Sequence, residues 1–268
     1  MEKLLNNFEN LCTDQNLIRI KNKIFNNNRL DFQDAKDIME TRDINSLGIL
    51  ASAKKEELHG KKVYFVVNRH INPSNVCAIS CKFCAFGKPK GHSDAYEMSM
   101  KKILSLVSNE LKEIHIVGGL HPDWKFEKYL EIVREVSAKA PDAHIKAFTA
   151  VEIDWFSQIS GKNIPDVISS LINAGVDALP GGGAEIFAPE VRRKICTPKT
   201  TGDSWLDIHR EAHKQGLPSN ATILYGHLES NDDVIDHINR LRKLQDESKG
   251  FFAFIPVLFQ PYNTRLSK

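Results

Sequence analysis

The chain is 268 residues long, 41% hydrophobic and almost neutral at a formal +2. That length suits one large domain or two small ones, the apolar fraction supports a sizeable core, and the charge balance points to neither a nucleic acid nor an acidic membrane as partner. No apolar run approaches the ~20 residues of a membrane span, and the opening Met1 to Asn7 stretch lacks the apolar core of a signal peptide.

Residues 1–60 read as a helical cap. Asp31 is placed to cap a helix carrying Phe32, Ala35, Ile38 and Met39 at helical spacing. A second helical segment runs from Ile44 through Leu50 to Leu58 and ends at Gly60. No Pro/Gly/Ser linker follows, so this region is expected to belong with residues 61–268 rather than form a separate domain. From Lys62 the texture changes. Short β-branched and aromatic runs predict strands at Val63–Val67, Ile114–Val117, Ile145–Phe148, Val176–Leu179, Ala221–Tyr225 and Phe251–Leu258. Helical periodicity predicts helices over Met98–Leu111, Phe126–Ala138, Ile164–Ala174, Trp205–Gln215 and Asp232–Gln245. Strands alternating with helices imply a parallel sheet with right-handed crossovers. The expected fold is α/β, a partial (β/α)6 TIM-type barrel with an N-terminal helical cap; an open doubly wound sheet is the alternative.

Three of the five cysteines, Cys77, Cys81 and Cys84, stand in a C-x3-C-x2-C arrangement after the first strand. Thiolates this close converge on one metal centre. A structural zinc takes four ligands and a ferredoxin cluster four cysteines, so three leave a coordination position open. This favours a cubane 4Fe-4S cluster with one iron free for substrate; the alternative is a zinc knuckle closed by His92. A reducing cytoplasm is the compartment in which clustered thiolates persist as ligands. Cys12 and Cys196 read as buried free thiols, with Cys196 also open to being a fourth ligand.

In parallel α/β folds the strand C-terminal ends form the active face. Here those ends carry His70 and Asn72, Gly118-Gly119, Thr149 and Glu152, the run from Gly181 to Glu185, and His227. His70 and His227 are candidates to hold a substrate carboxylate or move a proton. Glu152 is a candidate for a ribose or an ammonium, and Glu185 for similar work. Glycines at 118 and 119 are expected to let a ligand approach the backbone. Gly182 belongs to a triple-glycine turn suited to an anion. His209 and His213, four apart on a helix, and the run from Arg192 to Lys194 read as solvated faces; one arginine of the run is alternatively a partner for a substrate carboxylate.

The cysteine spacing, the aromatic Phe83 before the third cysteine and Gly118-Gly119 at the second strand end together resemble the radical S-adenosylmethionine (SAM) superfamily. The resemblance implies that Cys77, Cys81 and Cys84 hold a 4Fe-4S cluster. Phe83 lies near the adenine and Gly118-Gly119 meet the methionine amino group. Leu120 stands where the superfamily usually has an acidic residue, which makes that contact a backbone one. A closer resemblance runs from Arg69 to Thr264. It is carried by His70–Asn75, Cys81–Phe86, His115–Pro122, Lys146–Ile153, Leu179–Phe187 and Asn220–His227, and it is to the aminofutalosine synthase family. It implies a transferase of menaquinone biosynthesis. In that reaction a 5′-deoxyadenosyl radical adds to the vinyl carbon of 3-[(1-carboxyvinyl)oxy]benzoate, an aryl group migrates and a carboxyl group is lost, giving 6-amino-6-deoxyfutalosine. SAM is then a consumed co-substrate, and the electron comes from a donor such as flavodoxin or ferredoxin. The sister dehypoxanthine futalosine cyclases and deazaflavin-forming synthases share the cysteine loop and the Gly-Gly-Gly-Ala-Glu-Ile segment and are the alternatives. A zinc-stabilised binding module is the alternative of another class. The family extends further than position 268, so a C-terminal part is expected to be missing.

Overall fold

The computed structural model describes residues 5–197 and 199–266. The chain divides into two compact units, Met1–Phe65 and Val66–Lys268.

The first unit is helical: α1 (Phe8–Leu11), α2 (Gln15–Phe25), α3 (Phe32–Glu40) and α4 (Ile44–His59). Aspartates start three of these helices. Asp14, Asp31 and Asp43 each accept a backbone N–H of the first turn, and Asp34 returns the bond to Asp31, closing a capping box. Each such cap contributes about 1 kcal/mol. Phe8, Leu17, Ile20 and Leu50 form the core of the unit. The buried Asp34 carboxylate is paired with Arg19 and Lys23.

The second unit is a run of parallel strands with helices on one face. Its elements are β1 (Asn68–Ile71), α5 (Met100–Ser105), β2 (Glu113–Ile116), α6 (Phe126–Lys139), β3 (His144–Ala147), α7 (Ala150–Ser160), α8 (Ile164–Ala174), α9 (Pro189–Cys196), α10 (Gly202–Lys214), β4 (Ser219–Tyr225), α11 (Asn231–Ser248) and β5 (Phe251–Leu258). The pairs β1–β2, β2–β3 and β4–β5 are all parallel. Bridges Lys146–Ala178 and Leu179–Ser219 join the two sheets, so the strands follow one another in chain order around a partial barrel. The side chains alternate. Ile71, Ile114, Ile116, Ile145 and Ala147 enter the core under the helices, with Val133, Val136, Ile168 and Leu171 opposite them. Each fully buried aliphatic side chain of this kind contributes roughly 1.5–3 kcal/mol. No described helix is long and apolar enough to cross a membrane.

Several boundaries differ from the sequence expectation. The Val63–Val67 run is not a buried strand; it is exposed, Phe65 at 92%, and pairing begins at Asn68. β2 offers four residues and takes Asn68–Ile71, so of the run only Val67 is bonded to the sheet, through its carbonyl, among the described residues. The fourth strand shrinks to bridges at Ala178 and Leu179, and Pro180, which has no N–H, ends it where expected. The Met98–Leu111 helix shortens to α5. Its last turn tightens into i→i+3 bonds at Leu106 and Val107, yet Ile103, Val107 and Leu111 all remain buried. Two helices were not expected. α7 is announced by the Thr149–Glu152 capping box, and α9 by Pro189 in its first turn.

Candidate active site at the strand ends

The loop after β1 is held by its own backbone. Cys77 N donates to Lys88 O and Lys88 N to Asn75 O, both at 2.8 Å, which folds the cysteine segment into a closed turn. The Asn75 side chain fastens the far limb through Asp94 O and Tyr96 N. The turn is then pressed against the end of β2: Gly119 N donates to Ser74 O at 2.9 Å and Ala78 N to Leu120 O at 2.8 Å. A Cβ on Gly119 would sit 2.2 Å from Val76 O, and one on Gly118 3.1 Å from Ser74 O. At Gly119 the space a side chain would take is filled by the cysteine loop's own backbone, while its main chain lines the cavity.

Two further contacts pin the loop from distant parts of the chain. Lys82 N donates to Ile195 O at the end of α9 (2.7 Å), and Arg265 N to Lys82 O (2.8 Å). The Arg265 guanidinium also donates to Ser80 O. Cys77, Cys81 and Cys84 thus line one cavity of about 700 Å³ together with Phe83, Gly118, Gly119, Glu152, Gly183, Glu185, Lys199 and Arg265.

The thiols fit a cluster. Cys84 Sγ accepts from Gly87 N at 3.3 Å, an N–H to sulfur bond of the kind that tunes iron–sulfur centres. A Cβ at Gly87 would stand 3.3 Å from Cys77 Cβ and touch the Cys84 and Cys77 sulfurs at 3.7 and 3.8 Å, so this glycine lies directly against the thiols. Burial pushes the Cys81 thiol up to about 12, so it is a neutral thiol until a cationic group lies against it. Among the described residues no three His, Cys, Asp or Glu side chains converge closely enough to hold a single ion. His92 lines the same cavity, and its Nδ1 accepts from Asp94 N.

Glu152 lies at N3 of α7 and is buried. Its Oε1 accepts from Gly118 N at 2.9 Å, and its Oε2 from Thr149 N and Oγ1 at 2.7 and 2.8 Å. It joins the end of β2 to the end of β3 and orients the Gly118 peptide along the cavity wall. Burial pushes its carboxyl up to about 7, against the N–H and O–H donors of Thr149 and Gly118. Glu185 adopts a left-handed backbone (φ 48°), a conformation found for non-glycine residues mainly where tertiary structure enforces it. It pairs with Lys199, whose ammonium lies 5.2 Å from the Phe83 ring centroid. Burial disfavours that ammonium, but Glu185, first among several neighbouring groups, helps raise Lys199 above the usual lysine value.

Other sequence candidates stand elsewhere. Gly182 does not line the cavity; its carbonyl accepts from Trp205 Nε1, and the neighbouring Gly183 (φ 88°) faces the space instead. The His227 side chain is 1% exposed and does not line the cavity; Nε2 meets Leu224 O at 3.1 Å and Nδ1 accepts from Leu228 N at 2.7 Å. His70 lies lower, on the inner face of β1, against His115. Two solvated-face readings are corrected. Arg192 is buried and donates to the carbonyls of Ala184, Ile186 and Thr200, stapling the triple-glycine turn. His209 and His213 share Ser219 Oγ, each at 2.8 Å, and burial lowers both. Cys196 packs in an apolar cluster beside Cys81 and Phe83. Lys199 and Arg265 had no local sequence signal; Arg265 reaches a loop 185 positions away.

Comparison with known proteins gives these features a context. Residues 71–241 match the Radical SAM superfamily model. The chain is 42% identical over 259 residues to the aminodeoxyfutalosine synthase of Thermus thermophilus, covering 95% of this chain and 70% of that one. It is 42% identical to the Streptomyces coelicolor enzyme of the same name over 90% of this chain and 63% of that one. It is 41% identical to the 5-amino-6-(D-ribitylamino)uracil–L-tyrosine 4-hydroxyphenyl transferase of Methanopyrus kandleri, over 75% of this chain and 55% of that one. The chain thus spans between about half and two thirds of the length of most of these relatives. In fold it is similar to methylornithine synthase, with a TM-score of 0.72 at 18% identity over 92% of this chain and 69% of that one.

Proposed function

On the premise that the chain belongs to the radical SAM superfamily, and within it to the family of the aminodeoxyfutalosine synthases, we propose that it joins the 5′-deoxyadenosyl group of SAM to 3-[(1-carboxyvinyl)oxy]benzoate, forming 6-amino-6-deoxyfutalosine for menaquinone biosynthesis. The observation that carries this reading is the gathering of three thiols, Phe83, the Gly118 and Gly119 backbone, Glu152 and Glu185 around one cavity. Its volume, about 700 Å³, suits a nucleoside joined to an amino acid.

Cys77, Cys81 and Cys84 would hold the 4Fe-4S cluster, which when bound supplies a low-potential electron to the SAM sulfonium. The protein's own groups do the rest. Phe83 offers a ring face to the adenine. Glu152 fixes the Gly118 peptide, so that the wall facing the methionine end is rigid. Leu120 follows the glycines where an acid is usual, and Glu152 brings a carboxylate to the same wall from the next strand. Glu185, held by Lys199, would meet the ribose hydroxyls. Ile79, Phe83, Phe86, Val117, Leu120 and Val151 line the cavity with apolar surface, which excludes the water and hydrogen donors that would quench a carbon radical. Free thiols in this number suit a reducing compartment, the cytoplasm, and a small flavodoxin or ferredoxin as donor.

The test is an anaerobic assay. Reconstituted protein is expected to carry four irons per chain, in keeping with a cubane. With dithionite, SAM and the enol-ether benzoate it should yield the adenosyl-containing adduct by mass spectrometry. Formation of 5′-deoxyadenosine alone would refute the synthase reading. The same reaction supplied with tyrosine and 5-amino-6-(D-ribitylamino)uracil, or with dehypoxanthine futalosine, separates the two sister activities.

A further inference from the structure

Below the cavity, the inner face of the sheet carries a row of basic side chains that the thiol site does not use. His70, His115 and Lys146 are successive partners in the parallel register of β1, β2 and β3. Residues in one register row share a face, and this face is opposite the isoleucines packed under the helices. The His70 and His115 rings meet edge to face, with centroids 4.2 Å apart. Lys146 is 6% exposed. Its ammonium is 2.6 Å from Glu113 Oε2 and 5.1 Å from the centroid of Phe252, which β5 contributes from across the strands. His115 Nε2 is buried and has no hydrogen-bond partner among the described residues.

His70 is exposed and Phe252 is 53% exposed, so the face is open to a ligand, while Lys146 and the His115 Nε2 atom are buried. A sheet face that serves only as a barrel core carries branched aliphatic side chains, as the other face does here. A buried ring nitrogen without a partner forfeits about 1–3 kcal/mol, and a ligand oxygen would restore it. Burial pushes His115 down to about 4, and the nearby His70 and Lys146 charges push the same way. It is therefore neutral at pH 7, with a nitrogen free to bond. Burial works against the Glu113 carboxylate, yet Lys146 holds it ionised. The Lys146 ammonium, paired with Glu113, also lies beside an aromatic ring.

We propose that this row is an acceptor subsite for an aryl carboxylate. The carboxylate lies between the Lys146 ammonium and the His115 ring nitrogen, and the aryl ring lies against Phe252. A cation and a neutral donor match a carboxylate's two oxygens. Gly118 is three residues further along the strand than His115, roughly 10 Å. A benzoate-type acceptor anchored in the row therefore directs its far end towards the cavity. The ligand class follows from the row itself; only the identity of the acceptor rests on the function proposed above.

The test compares wild type, the Glu113→Gln/Lys146→Met double variant and Lys146→Arg, all reconstituted. Each is titrated calorimetrically with the enol-ether benzoate, benzoate and benzamide. The double variant removes both charges, so no buried carboxylate is left alone. Wild type is expected to prefer benzoate to benzamide by about tenfold or more. The double variant should lose that preference and bind the enol-ether benzoate ~10-fold or more weakly, with iron content and melting profile retained; Lys146→Arg should keep most of the affinity. If the double variant does not fold, His115→Phe carries the test under the same criteria. Unchanged carboxylate affinity in the variant, or benzamide binding as tightly as benzoate, would overturn the subsite. Wild type that binds aryl carboxylates through the row but forms no adduct would refute the synthase reading and leave the subsite standing. Adduct formation with an unaltered acceptor KM in the variants would do the reverse.

Discussion

Replacing Gly119 by alanine tests whether the cysteine loop is seated by direct backbone contact with the end of β2. The added Cβ would lie 2.2 Å from Val76 O, 2.7 Å from Val76 C and 3.0 Å from Asn75 C. All three are backbone atoms, so no side chain can swing away, and the segment from Asn75 to Cys77 must shift. Overpacking of this kind costs about 1–3 kcal/mol, and a rigid neighbour on the crowded side puts Gly119→Ala near the top of that range. For a unit of this size each kcal/mol lowers the Tm by about 2–4 °C, so a fall of about 6–12 °C is expected. Because the shifted segment includes Cys77, reconstituted iron should fall with it. Gly118→Ala, whose nearest neighbour is Ser74 O at 3.1 Å, should cost about 1 kcal/mol and keep more iron. Gly48→Ala is the control: it lies inside α4 with nothing within 4 Å and should stabilise its helix by about 0.5–1 kcal/mol. The assay is thermal unfolding by circular dichroism, paired with iron and sulfide per chain. A Gly119→Ala protein that melts with wild type and binds as much iron would refute the seating of the loop on β2.

Three further outcomes are expected. The Glu152 carboxyl titrates near 7 when folded against an ordinary value of 4.5, so its contribution to stability is complete below about 4.5 and is lost as pH rises towards 7, by about 3 kcal/mol; urea unfolding at pH 5, 6 and 7 should show a flatter pH dependence for Glu152→Gln, and identical slopes would discount the buried carboxyl. Cys77→Ala, Cys81→Ala and Cys84→Ala should each abolish iron retention with the helical signal intact, whereas Cys196→Ala should keep its iron; loss of iron in Cys196→Ala would make that thiol a ligand. Arg192→Met orphans three carbonyls and should cost on the order of 3 kcal/mol, which Arg192→Lys does not restore because an ammonium cannot span them; a lysine variant that melts with wild type would contradict the staple.

The sequence by itself determined the order of elements and the chemistry of the loop. Strand and helix alternate because apolar periodicity switches between two and 3.6 residues, and that switching is local information. C-x3-C-x2-C is likewise local: eight consecutive backbone positions can carry three thiols to one centre whatever surrounds them. Local patterns had less hold on where elements stop. Val63–Val67 has the composition of a strand, but a strand needs a neighbour, and β2 reaches only to Asn68. Only the tertiary structure decided what long-range contacts do. Arg192 and the His209–His213 pair look solvated on a helical wheel, yet Arg192 and His209 are buried and His213 is half-buried, because the turn and strand they serve come from elsewhere in the chain. Glu152 shows both levels at once. Thr149 three residues before it spells a helix cap, but its other oxygen holds Gly118, 34 positions away. Lys146, His115 and His70 form a row only because three strands lie in one register, and register is a property of the sheet.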